Sequence, residues 1–164
     1  MPEEKSEFDD NEEGLWKIDF DGASNKEGFG AGVWIMSPKI GNSKNYSYNL
    51  AFKWTNNVVE YEVLILGLQL LKRSGAKRNL VHGDSELIIK QIKGEYSTKN
   101  PRMRAYRNVV LDFLHCFPKY YLFVIPRGHN AIVDALATSS STFKIPIHPN
   151  KKYEIEVKHR PFVT

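Results

Sequence analysis

Cysteine is almost missing from this chain. Cys116 is the only one in 164 residues, so no disulfide can close within it and no Cys-His cluster competes to hold zinc. No apolar run reaches the roughly 20 residues that a membrane-spanning helix needs. The opening residues are acidic, which excludes the basic start of a signal or transit peptide. Internal repeats are absent, and Pro and Gly are not in excess. These absences leave the expectation of an intracellular protein, cytoplasmic or nuclear rather than secreted and without membrane association. With 41% apolar residues it can bury a core.

Charge is divided unevenly. Residues 1–13 hold seven acids (Glu3, Glu4, Glu7, Asp9, Asp10, Glu12, Glu13) and one base, Lys5. The remaining residues hold 22 bases and 12 acids, within a total formal charge of +4. A basic body behind an acidic leader suits a polyanionic partner, nucleic acid above all. The leader, residues 1–14, reads as a disordered linker.

Periodicity supplies the elements of one domain over residues 15–140. Trp16, Ile18 and Phe20 alternate with Lys17, Asp19 and Asp21, which predicts a half-buried strand over 15–21 that ends on aspartate. Gly28, Gly30 and Gly32 lead into a second strand over 31–37, and a third over 46–52 completes an antiparallel meander. Thr55 and Asn56 are both good N-caps for a long apolar helix over 57–73. A strand over 79–84 passes directly into a helix over 85–93, and Asn100-Pro101 opens a helix running to about Cys116. A strand over 120–126 and a short helix over 130–139 follow. Three strands and then alternating helices and strands predict an α/β or α+β sheet with helices packed on it. Residues 141–164 contain Pro146, Pro149 and Pro161 without a clear period and read as a tail or inter-domain linker.

Four acids occupy places where solvation is not the easy explanation. Asp21 and Asp84 end strands, where open sheets gather ligands. Glu60 shares the i, i+4, i+7, i+11 row of its helix with Leu64, Gly67 and Leu71. Asp134 sits between Val133 and Ala135 in a segment of small and apolar residues. Each alone reads more simply as a turn residue, a cap or a solvated acid. Together, four converging carboxylates would repel by on the order of 4 kcal/mol per pair at ~4 Å and an effective dielectric near 20. A divalent cation relieves that repulsion, and oxygen-only ligands select Mg²⁺, with Mn²⁺ as a substitute. Two-metal phosphodiester hydrolysis is the chemistry natural to such a centre.

The blocks 20-FDGASNKEGFGAGVWI-35, 55-TNNVVEYEVLILGL-68, 82-HGDSELIIKQIKGEY-96 and 125-IPRGHNAIVDALA-137 resemble the type 1 ribonuclease H family. Within it they look most like the ribonuclease H domain of plant gypsy-type (LTR) retrotransposon polyproteins. The blocks occur in the family's order, and each carries its acid. The resemblance implies a ribonuclease H-like α/β fold: a five-stranded mixed sheet, three strands antiparallel and two parallel, flanked by helices. It carries the family's catalytic, metal-binding Asp-Glu-Asp-Asp set onto Asp21, Glu60, Asp84 and Asp134, with two Mg²⁺ ions. It also places Ser24, Asn56, Asn57 and Ser85 at substrate contacts, the two asparagine amides reaching into the minor groove of the hybrid. Arg127 is the candidate for a further phosphate contact, with His129 beside it read as a surface histidine.

The chain departs from the family at Glu86, where Gln is common; a carboxylate there cannot donate a hydrogen bond and repels phosphate. Val58, Val59 and Val133 add bulk beside the acids. Lys99, Arg102, Arg104 and Arg107 form a basic cluster that could follow the DNA strand or simply face solvent. The expected function is a Mg²⁺-dependent endonuclease that hydrolyses the RNA strand of RNA–DNA hybrids. A catalytically weak or inactive nucleic-acid-binding module is the alternative. Polymerase and integrase domains of one polyprotein would be its partners, and the isolated domain is expected to be a monomer.

Overall fold

The structure is a computed structural model and describes residues 14–25, 28–39, 43–50, 55–83, 85–124, 155–158 and 160–163. Among these residues the elements run β1 (Leu15–Asn25), β2 (Gly28–Met36), β3 (Ser43–Leu50), α1 (Asn56–Arg73), β4 (Arg78–Gly83), α2 (Glu86–Lys93), α3 (Pro101–Leu114), β5 (Lys119–Val124) and β6 (Ile155–Lys158). No helix among them is long and apolar enough to cross a membrane. The helix expected over 130–139 lies outside the described residues.

The strands form one sheet in the order β5-β4-β1-β2-β3-β6. The pairs β1–β2 and β2–β3 are antiparallel, whereas β1–β4 and β4–β5 are parallel, which is the five-stranded mixed arrangement expected. A sixth strand, β6, pairs parallel with β3 and comes from the stretch read as a tail. Four residues are too few to show a period, and this pairing is made by main chain.

Two expectations about the first hairpin need correction. β1 does not end at Asp21 but continues to Asn25, pairing with β2 throughout. Gly28, Gly30 and Gly32 lie within β2 rather than leading into it. Propensity argues against Asp and Gly in strands, but cross-strand pairing outweighs it here.

One sheet face carries the main core. Ile18, Phe20, Val33 and Ile35 pack with Leu64, Leu68 and Leu71 of α1 in a single buried cluster. Gly67 lets the helix approach, because a Cβ at that position would collide with the Ile18 side chain. α1 is apolar nearly all round, since α3 covers its other side. Tyr61 stacks on Tyr106 at 5.7 Å between ring centroids, and the Tyr61 hydroxyl donates to Gln91 Oε1 at 2.8 Å. Burial raises the pKa of that hydroxyl, keeping it protonated and a donor. The opposite sheet face holds a smaller cluster of Leu15, Leu80 and Tyr121 with Phe123 against it. Trp16 is half-buried against the main core, as packing predicts, and Trp34 is also half-buried. Trp54 lies outside the described residues.

The last residues dock on the helices. The Phe162 main-chain N–H donates to Glu62 Oε2 at 2.6 Å, and Arg102 donates to the Val163 carbonyl at 3.4 Å. Phe162 and Val163 pack against the main core.

Candidate active site

The site lies toward the C-terminal end of β4. Among the described residues the parallel register of β1 with β4 runs from Leu15↔Arg78 to Phe20↔Gly83. Gly83 is glycine for a packing reason, since a Cβ would lie 2.5 Å from Phe20 Cζ. The chain then turns into α2, whose N-cap is Ser85. On its other side β1 pairs with β2, Asp21 standing opposite Gly32. Asp21 is 8% exposed.

Glu60 is brought to the same place from α1. Its Oε1 accepts the Gly22 main-chain N–H at 3.1 Å, which anchors it to the main chain of the residue that follows Asp21. The helical row read from the sequence explains this: Leu64, Gly67 and Leu71 face the sheet, and Glu60 lies at the end of that row. Gly22 leaves room for the approach. A Cβ there would lie 2.7 Å from Val59 Cγ1 and 3.4 Å from Glu60 Oε1. Val58 and Val59 are both buried in the main core, with Val59 lying against Gly22 beside Glu60. Gly22→Ala should therefore cost about 1–3 kcal/mol in a urea unfolding experiment, because overpacking a β-branched neighbour leaves it no good rotamer. Adding Val59→Ala should recover part of that loss.

The other proposed site residues divide by what the structure describes. Asp84, Asp134 and Arg127 lie outside the described residues, as does His129. Asp84 follows Gly83 and precedes Ser85, both of which are described. Ser24 falls within the β1–β2 pairing opposite Phe29. The cap of α1 is Thr55, whose side chain accepts from Val58 N, so Asn56 is the first helical residue and not the cap. That removes the structural alternative for Asn56, which is exposed, with Asn57 half-buried beside it. Ser85 Oγ caps α2 by accepting from Ile88 N at 3.5 Å, which leaves its O–H free to donate elsewhere.

Glu86 pairs with Lys90 one turn along α2, and its hydrogen bond holds the lysine above the usual pKa. The departure from Gln is thus partly neutralised within the helix. The basic cluster is split: Lys99 and Arg104 are exposed, while Arg102 reaches Val163 and is half-buried. Arg107 is also half-buried, with its charge near Tyr61. One contact beside the acids was not expected. Asp19 meets the His82 ring at 3.1 Å across the β1–β4 pair. The signal was present, since each residue lies two positions before an acid, but only the strand register brings them together.

A family described as reverse transcriptase-like matches residues 19–140. The chain is 31% identical over 122 residues to the ribonuclease HI of Halobacterium salinarum, an alignment covering 74% of this chain and 61% of that protein. The chain belongs to the ribonuclease H-like family. The haloarchaeal RNase H1 structure superposes on this ribonuclease H-like domain with a TM-score of 0.71 and 28% identity, over 80% of this chain and all of that one. The N-terminal RNase H domain of a Mycobacterium tuberculosis protein gives 0.72 and 26%, over 79% and 95% of the two chains. A compost-derived RNase H1 solved with an RNA/DNA hybrid gives 0.67 and 31%, over 76% and 94%. The family and these neighbours agree with the mixed sheet and its flanking helices.

Proposed function

We propose that this chain is a Mg²⁺-dependent endonuclease that hydrolyses the RNA strand of RNA–DNA hybrids. The observation that carries the reading is the Glu60–Gly22 hydrogen bond, which anchors one carboxylate at the main chain next to Asp21. Asp21 is itself nearly buried, and a site that collects such acids favours a cation among them. Their oxygens fit a hard divalent cation, Mg²⁺ or Mn²⁺, better than a soft one. Asp84 and Asp134 complete the ligand set by their match to the family. Two such ions lower the pKa of an attacking water and neutralise charge on the leaving 3′ oxygen.

The remaining roles belong to the chain. Gly22 N–H orients Glu60 by occupying Oε1. By their match to the family, Asn56 and Asn57 reach the minor groove, and Ser24, Ser85 and Arg127 are backbone contacts. Discrimination for RNA requires sensing a 2′-hydroxyl, which amides and main chain can do across a shallow minor groove. The wording of the four blocks supports an origin in a retrotransposon polyprotein, next to polymerase and integrase domains; reading the coding sequence on either side tests it.

The deciding experiment offers labelled RNA–DNA hybrid, double-stranded DNA and single-stranded RNA in Mg²⁺. Cutting confined to the RNA of the hybrid, leaving 5′-phosphate and 3′-hydroxyl ends, is the expected result. A folded protein that binds hybrid but cuts nothing in Mg²⁺ or Mn²⁺ would instead be a binding module.

A further inference from the structure

We propose that Asp19 and His82 form a positioning pair that fixes the spacing of the β1 and β4 ends and thereby sets the affinity of the site for divalent metal. The inference rests on the reading of Asp21, Glu60 and Asp84 as metal ligands.

The two strands are clamped on both faces just below those acids. On the helix face, Phe20 lies over Gly83 at the last shared rung, with no room for a Cβ between them. On the opposite face, one rung back, Asp19 stands in register with His82 and joins it through Oδ1 and Nδ1 at 3.1 Å. A carboxylate only accepts, so the hydrogen bond places a proton on Nδ1. His82 is itself backed by Phe123, its register partner on β5, whose ring meets it edge-on at 6.2 Å between centroids. The row Asp19–His82–Phe123 therefore crosses three adjacent strands.

Strand alternation places Asp19 on the same sheet face as Asp21, two residues on, and Asp84 follows His82 by the same interval. A slip between the two strands moves Asp21 relative to the C-terminal end of β4, to which Asp84 is joined in sequence. Mg²⁺ tolerates such a change poorly because it demands near-ideal octahedral geometry. The side chains of His82 and Asp19 are 23% and 17% exposed, so as an ion pair they add little to stability. Their effect should appear in metal binding instead.

The test titrates Mg²⁺ into the full chain by calorimetry without substrate, and separately measures hybrid cleavage across Mg²⁺ concentrations. Asp19→Ala and His82→Leu should weaken Mg²⁺ binding about tenfold, the scale seen when residues that orient ligands are lost. Their kcat at saturating Mg²⁺ should stay within about twofold of wild type, consistent with a change in metal affinity alone. Asp19→Asn keeps an accepting oxygen and His82→Asn places an N–H near the Nδ1 position, so both should bind Mg²⁺ like wild type.

An Asp19→Asn variant as weak as Asp19→Ala would overturn the proposal and make the charge of Asp19 the active feature. Unchanged binding in Asp19→Ala would overturn it as well, and that partly exposed position keeps the test decisive if His82→Leu misfolds. A wild type that binds Mg²⁺ without cutting hybrid would defeat the proposed activity and leave this inference standing. A wild type that binds no Mg²⁺ would end both.

Discussion

Glu60→Gln should reduce hybrid cleavage by about a thousandfold, equivalent to roughly 4 kcal/mol of lost transition-state stabilisation. The substitution is informative because it separates the hydrogen bond that Glu60 makes from the metal-holding role proposed for it. Its Oε1 accepts the Gly22 N–H, and a glutamine oxygen can do the same. What glutamine lacks is the negative charge needed to hold a hard cation. The fold should therefore survive, with melting temperature close to wild type, while activity collapses and the Mg²⁺ requirement rises. Asp21→Asn should behave alike, losing activity because it too removes a charge proposed to hold metal. Cleavage by Glu60→Gln at the wild-type rate would show that the carboxylate only braces Gly22 and that the centre lies elsewhere.

Sequence and structure agree most closely where one residue satisfies a local rule and a long-range one together. Glu60 was legible because the helical row beneath it is apolar, so its own direction followed from Leu64, Gly67 and Leu71. Asp21 stood out because an acid interrupts an alternating strand, although the strand continues to Asn25. Asn56 and Thr55 could not be ranked as caps from sequence, since both are favoured there and a one-residue shift in helix start decides between them. The Asp19–His82 contact was hidden because it depends on the register of two parallel strands, which no local pattern specifies. β6 was hidden for a related reason: four residues that pair through main chain need no particular side chains to do so. Arg102 looked like part of a phosphate-tracking face, but its partner is a carbonyl 61 residues away.

That last contact belongs to the segment with the largest expected effect on stability. Ending the chain at residue 154 should lower stability by about 3–5 kcal/mol, the usual cost of removing one partner from a buried charged group. Glu62 is fully buried, and the Phe162 N–H donates to it at 2.6 Å. Tyr106, whose hydroxyl is pushed up in pKa first by burial and then by the neighbouring Glu62 carboxylate, stacks on Tyr61 of α1 beside it. Truncation also uncovers the core surface beneath Phe162 and Val163 and opens the β3 edge. A double-mutant cycle separates these losses. If the uncompensated carboxylate dominates, Glu62→Leu should destabilise the full chain yet stabilise the truncated one, because an apolar side chain no longer needs the missing donor. Equal effects of Glu62→Leu in both backgrounds would mean that lost apolar packing, not the buried acid, is what the last residues supply. Since Glu62 lies two residues from Glu60 on the same helix, hybrid cleavage measured across the same four proteins would reveal whether that docking also holds the acid in place.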